Sequence, residues 1–161
     1  MKKLLLAVAI SASATACAAN DSDLSESAKQ WTTFNGFDYG VNVDTRDHFE
    51  NKWMATTYTR GDGNFSVGIM YPDQYCYDFE DMPETAGVMR WNGKLVKMSR
   101  QCTGKVEGFM FPTTRNGARY VWEQFSKSNY VYTVLNKVNV RFSAKGFNKG
   151  ARAYVEAQHA L

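Results

Sequence analysis

Asn92-Gly93 stands between two runs of strand-forming residues, Gly87 to Trp91 and Lys94 to Arg100, and no other feature constrains the fold as tightly. A two-residue turn between antiparallel strands needs positive φ at both central positions, and Asn-Gly adopts it at the lowest steric cost. The chain is therefore expected to double back here as a β-hairpin. The same logic extends along the sequence. Lys52 to Arg60 is rich in strand formers, and Gly61-Asp62-Gly63 follows as a turn. Asn64 to Tyr71 then alternates, with Phe65, Val67, Ile69 and Tyr71 on one face, which completes another hairpin. Val106 to Phe111 reads as a short strand closed by Pro112, and Tyr130 to Leu135 pairs with Val138 to Ser143 across Asn136-Lys137. Short strands are also expected between Trp31 and Asp47.

Helical spacing occurs twice. Ala118, Val121, Trp122 and Phe125 fall at i, i+3, i+4 and i+7, which predicts a helix near 114–127 capped by Thr113 or Thr114. Phe147, Ala151, Tyr154 and Val155 share one face of a C-terminal helix near 147–159. Antiparallel hairpins with two helices predict an α+β domain whose sheet is mostly antiparallel.

The N-terminus sets the compartment. Lys2 and Lys3 precede an unbroken apolar run, Leu4 to Ile10, and small residues from Ser11 to Ala16 lead into Cys17. That is the layout of a signal peptide over 1–16, with an apolar run too short to span a bilayer. Two cleavage readings stand. Ala14-Thr15-Ala16-Cys17 resembles the box before a lipidated cysteine, with Ala14 in place of the usual Leu; Ala14-x-Ala16 and Ala16-x-Ala18 also satisfy ordinary signal peptidase. The chain has three cysteines, and lipid on Cys17 would leave Cys76 and Cys102 as one pair. These two flank the Asn-Gly hairpin, and a bridge between them would close a loop of roughly 25 residues, adding roughly 3 to 4 kcal/mol. Residues 17–30 are expected to be a lipid-attachment site and flexible tether, with Asn20 to Lys29 polar and turn-rich. Residues 31–161 would then form a single globular domain in the periplasm or at the outer membrane.

Lys2 and Lys3 account for two of the 19 basic residues, so loss of the leader leaves 17 against 16 acidic and a net charge of +1. The basicity thus belongs mainly to the leader, which argues against a nucleic-acid partner. Metal binding lacks ligands: His48 and His159 are the only histidines, and neither has a second His or Cys at ligand spacing. No cofactor motif is present. Asp78 to Glu84 is acidic but lacks the alternate ligand spacing and central glycine of an EF-hand loop. Arg60-Gly61-Asp62 falls at a hairpin tip, where Gly and Asp are favoured for backbone reasons. His48, beside Asp44 and Asp47, is the one candidate general base.

Aromatic residues make up 14% of the chain and crowd two segments. Trp31, Phe34, Phe37 and Tyr39 form one group, and Tyr71, Tyr75, Tyr77 and Phe79 the other, beside the acidic stretch. A domain of this size has too little interior for all of them, so Tyr71, Tyr75, Tyr77 and Phe79 are the candidate binding residues.

The order Trp91-Asn92-Gly93-Lys94 to Cys102, a short strand, the helix with Tyr120 to Phe125, a strand, and Val140-Arg141-Phe142-Ser143-Ala144-Lys145-Gly146-Phe147 carries a family resemblance. Over about residues 88–161 the chain resembles exported proteins of the invasion-associated locus B type. That family places a second cysteine soon after the position of Cys102, where Thr103 to Phe109 has none. It also carries a tryptophan strand followed by a cysteine pair upstream, where Trp53 is followed by Cys76 alone, so the disulfide pattern differs. The resemblance implies a β-rich envelope protein with no known active site. Asn116-Gly117-Ala118-Arg119-Tyr120 is similar to the Ser-Gly-x-x-Tyr element of lysozyme-inhibitor lipoproteins.

Together these readings predict a non-enzymatic bacterial cell-envelope protein, lipid-anchored through Cys17 or soluble in the periplasm. It would bind an envelope protein or glycan through an aromatic-rich face. A small envelope hydrolase using His48 with an acidic partner and a lysozyme-inhibitor-like protein are the alternatives.

Overall fold

The computed structural model describes residues 31–33, 41–47, 49–79, 82–135 and 137–159. The expected leader, Cys17 and its tether, Phe34, Phe37, Tyr39 and His48 lie outside the described residues. Strands β1 (Thr32–Thr33), β2 (Val41–Arg46), β3 (Lys52–Thr59), β4 (Phe65–Pro72), β5 (Glu84–Trp91), β6 (Lys94–Gly104) and β7 (Glu107–Pro112) come first. Helix α1 (Arg115–Lys127), β8 (Tyr130–Leu135), β9 (Val138–Ser143) and helix α2 (Phe147–Gln158) follow. The fold is α+β, and every strand pair is antiparallel, in the order β1-β2-β3-β4-β7-β6-β5-β8-β9.

The hairpins form where turn chemistry and alternation agree. Asn92 and Gly93 have φ of 41° and 87°, as a two-residue turn requires. Asn92 does more than turn. Its backbone N–H donates to Tyr132 O at 2.8 Å, its Oδ1 accepts from Tyr132 N at 2.8 Å, and its Nδ2 donates to Gln124 Oε1 at 3.0 Å. The turn is thereby fixed to both β8 and α1. Strand β5 begins at Glu84, earlier than the alternation alone predicts, because a bulge between Thr85 and Gly87 absorbs the break in pattern. Gly87 takes the positive φ of 86° that this bulge places there.

Register aligns one inward row across five strands: Val43 faces Ala55, Ala55 faces Ile69, Ile69 faces Met110, and Met110 faces Arg100. Both helices pack on this side, α1 against β4 and β7, α2 against β2 and α1. Thr114 caps α1, its Oγ1 accepting from Gly117 N at 3.0 Å. Ala118, Val121 and Phe125 are buried along the predicted stripe, with Trp122 half-buried beside them. The sheet curls until β9 approaches β2, and Trp31 bridges that seam. Its backbone N–H donates to Lys145 O and its indole Nε1 to Ser143 O, each at 2.9 Å.

Phe125 lies between Trp31, Trp91, Phe142 and Phe147, with ring centroids 5.1 to 6.4 Å away. Removing this fully buried ring opens a cavity that four rigid rings cannot collapse to fill. Phe125→Ala is expected to cost about 3 to 5 kcal/mol in urea-induced unfolding. A loss below about 1 kcal/mol would contradict this packing.

Candidate functional site

With the helices occupying one end of the concave face, the other end holds a cavity of about 650 Å³. The β2–β3 connection brings Asp47 and Asn51 to it, β3 Trp53, β4 and its following loop Tyr71 to Tyr75, β5 Thr85 and Ala86, and β6 Arg100. Leu135 and Val138 of the β8–β9 hairpin close the far side.

The wall is a chain of buried polar contacts between stacked rings. Trp53 stacks on Tyr71, with centroids 5.5 Å apart and planes 18° from parallel. The hydroxyl end of Tyr71 lies against Gly108, where a Cβ would come within 2.9 Å of the ring, so glycine is what lets the ring seat there. The Trp53 indole donates to Asp47 Oδ2 at 2.9 Å, and Asp47 also accepts from Phe49 N, Asn51 N and Asn51 Nδ2 at 2.8 to 3.0 Å. Burial works to raise the Asp47 pKa, but these four donors outweigh it and hold the carboxyl below its usual range. Tyr71 Oη donates to Asp73 Oδ2 at 2.9 Å, and Arg100 Nη1 donates to the same oxygen at 2.5 Å. Burial, then the adjacent Asp73 carboxylate, push the Tyr71 hydroxyl up to about 12, so it remains a donor. Arg100 also donates through Nε to Glu84, which raises its pKa further and keeps it charged. The carboxylates thus fix Trp53, Tyr71 and Arg100 in place. Gln74, Thr85 and the Tyr75 hydroxyl add neutral polar groups to the wall.

The loop after β4 forms the rim, and it is clamped at several points. Cys76 and Cys102 are disulfide-bonded, with Cα atoms 5.4 Å apart, as the cysteine count predicts. Val106 N donates to Cys76 O at 2.8 Å and Asp73 N to Val106 O at 3.0 Å, while Tyr75 N caps onto Asp73 Oδ1 at 3.0 Å. Val106 accepts φ of 52°, unfavourable for a β-branched residue, to make both bonds.

Of the four sequence-predicted binding aromatics, Tyr71 is 9% exposed and belongs to the cavity wall. Tyr75, Tyr77 and Phe79 are 67, 78 and 59% exposed, Tyr75 within the clamped stretch and Tyr77 and Phe79 just beyond it, and Met82 is exposed as well. Only Tyr75 of these three lines the cavity itself. Trp31 is core. His159 is exposed, its ring set edge-on to Phe65. Among the described residues no cluster suited to a metal occurs, and no helix is long and apolar enough to cross a membrane. Arg60 and Asp62 of the Arg-Gly-Asp tip pair with each other at 3.4 Å.

No protein-family model, curated protein or solved structure matches this chain.

Asp73 and Arg100 escape sequence reading because they meet across 27 residues of chain, whereas Asp47, read as a neighbour of His48, instead caps the local turn to Asn51 and Trp53. One signal was present: in Val96, Met98, Arg100, Cys102 a charge occupies an inward position of an otherwise apolar alternation.

Because the folded pKa of Asp47 lies below its unfolded value, its stabilisation is complete above the ordinary carboxylate range. It is lost as pH falls through the folded value. Wild-type stability is therefore expected to drop more steeply between about pH 5 and about pH 2 than that of Asp47→Asn. Equal slopes in denaturant titrations would remove this carboxylate from the acid response.

Proposed function

We propose that this chain is a non-enzymatic cell-envelope protein that binds another envelope macromolecule, protein or glycan, at the cavity and its aromatic rim. A terminal or protruding group of that partner enters the cavity, and the rest lies across Tyr75, Tyr77 and Phe79. The exposed rings carry this reading, with Tyr75 held on the clamped stretch 73–76 and Tyr77 and Phe79 directly after it. Large apolar side chains that stay in water on a rigid support lose little further entropy on binding, and such rings supply most interface energy. The wall supports the same reading, because its carboxylates are occupied by fixed donors.

The Cys76–Cys102 bond is consistent with export, since such bonds persist in oxidising compartments. Export with lipid on Cys17, or release into the periplasm, would put the rim among envelope polymers and proteins.

The test offers envelope extract to immobilised wild-type protein and to a Tyr75→Ala, Tyr77→Ala double variant. Capture is expected to fall at least about tenfold, as for loss of interface anchors. The melting temperature should move by less than about 2 °C, because both rings are exposed. Prior protease treatment of the extract tells a protein partner from a glycan. Undiminished capture by the double variant would overturn the proposal.

A further inference from the structure

At the end of the sheet opposite the first cavity, a second hollow of about 370 Å³ lies between the β3–β4 turn and the first half of α1. Its polar lining is dominated by three guanidinium groups, Arg60, Arg115 and Arg119, and its apolar wall is Phe65 and Trp122, with ring centroids 6.4 Å apart. Three cations around one hollow repel each other unless something negative sits among them. Asp62 offsets part of this, at 3.4 Å from Arg60 Nε and 3.4 Å from Arg115 Nε, which leaves three positive charges against one negative. Glu123, one turn beyond Arg119, pairs with Lys127 at 3.0 Å and is also within the field of Arg119, but it does not line the hollow.

Two further observations point the same way. The first turn of α1 contains no acidic residue, and Arg115 opens the helix with Arg119 one turn on. A helix N-terminus carries partial positive charge and favours anions, so the protein has placed cations where the helix field disfavours them. The guanidinium groups also retain donors. Arg60 Nη1 donates to Pro112 O at 2.9 Å, but its buried Nε makes no hydrogen bond. Arg119 donates to the neutral Asn116 amide over a long 3.4 Å, with Glu123 its acidic neighbour one turn on.

We propose that this hollow binds a phosphate ester, with the phosphate oxygens received by Arg60, Arg115 and Arg119 and the organic group against Phe65 and Trp122. Arginine forks match tetrahedral oxyanions, and the positive end of α1 adds to the attraction. The site is separate from the aromatic rim and does not depend on the function proposed for it. A soluble ester and a lipid headgroup present the same oxygens, and the two arms of the test tell them apart.

The test uses the purified protein in two arms. Glycerol 3-phosphate is titrated while the arginine Nε–H signals are followed by NMR, with sodium chloride at matched ionic strength as control. Phosphatidylglycerol vesicles are compared with phosphatidylcholine vesicles in co-sedimentation. Saturable shifts of the Arg60 and Arg119 signals, absent with chloride, are expected for a soluble ester; preference for phosphatidylglycerol is expected for a headgroup. In whichever arm responds, Arg119→Gln, at an exposed position, weakens binding at least fivefold, and Lys105→Gln, at the exposed β6–β7 turn away from the hollow, leaves it unchanged. No response in either arm, or equal loss from Lys105→Gln, which marks diffuse charge attraction, overturns the proposal.

Discussion

Phe125 touches four other aromatic rings, and those contacts join parts of the chain that are far apart in sequence. Trp31 comes from the segment ahead of β1, Trp91 from the Asn-Gly hairpin, Phe142 from the last strand and Phe147 from the start of α2. Such rings are stiff and large, and packing them at density requires a single arrangement of the elements that bear them. The curl of the sheet follows. Trp31 can reach Phe125 only if the two ends of the sheet approach, and its hydrogen bonds to Ser143 and Lys145 then satisfy the polar groups at that seam. A flat sheet would leave Trp31 in water.

Filling one end of a curled sheet with helices fixes what the other end must be. Side chains from β3, β4 and β6 continue inward there with no helix to meet, and a continuous apolar row would leave an open greasy pit. The row instead ends in Arg100. Placing that charge inward is costly unless it is paired, and the pairing recruits Asp73 and Glu84, with Tyr71 joined through Asp73. The polar cavity wall is therefore a consequence of how the inward row terminates.

The parts of this architecture that depend on near neighbours in sequence are visible in the residues. Asn92-Gly93 needs no context to be a turn, the alternation from Phe65 to Tyr71 names its own inward face, and the spacing of Ala118, Val121 and Phe125 marks the buried stripe of α1. The pairing of Cys76 with Cys102 follows from setting Cys17 aside. What was not visible depends on strand order. That β4 neighbours β7, and β5 neighbours β8, cannot be deduced from hairpins alone, yet this order brings Arg100 to Asp73 and Asn92 to Tyr132. Tyr71 shows the limit clearly. Its sequence neighbours Tyr75, Tyr77 and Phe79 are exposed, but its place at the inward end of an alternating strand makes it wall rather than rim.

The disulfide and the exposed rings are two sides of one constraint. A free loop carrying Tyr75, Tyr77 and Phe79 would lower its energy by folding those rings into the cavity beside it, since burying each is worth roughly 2 to 3 kcal/mol. The Cys76–Cys102 bond, the Val106 bridge and the Asp73 cap hold the backbone at points along 73–76, which limits how far Tyr75 can turn inward and fixes where the segment bearing Tyr77 and Phe79 leaves the sheet. The strained φ of Val106 is intelligible on the same terms: a less strained turn would give up the hydrogen bonds to Asp73 and Cys76 together. The chain thus keeps apolar surface in water by denying it the nearest place to hide, and the cavity stays open for the same reason.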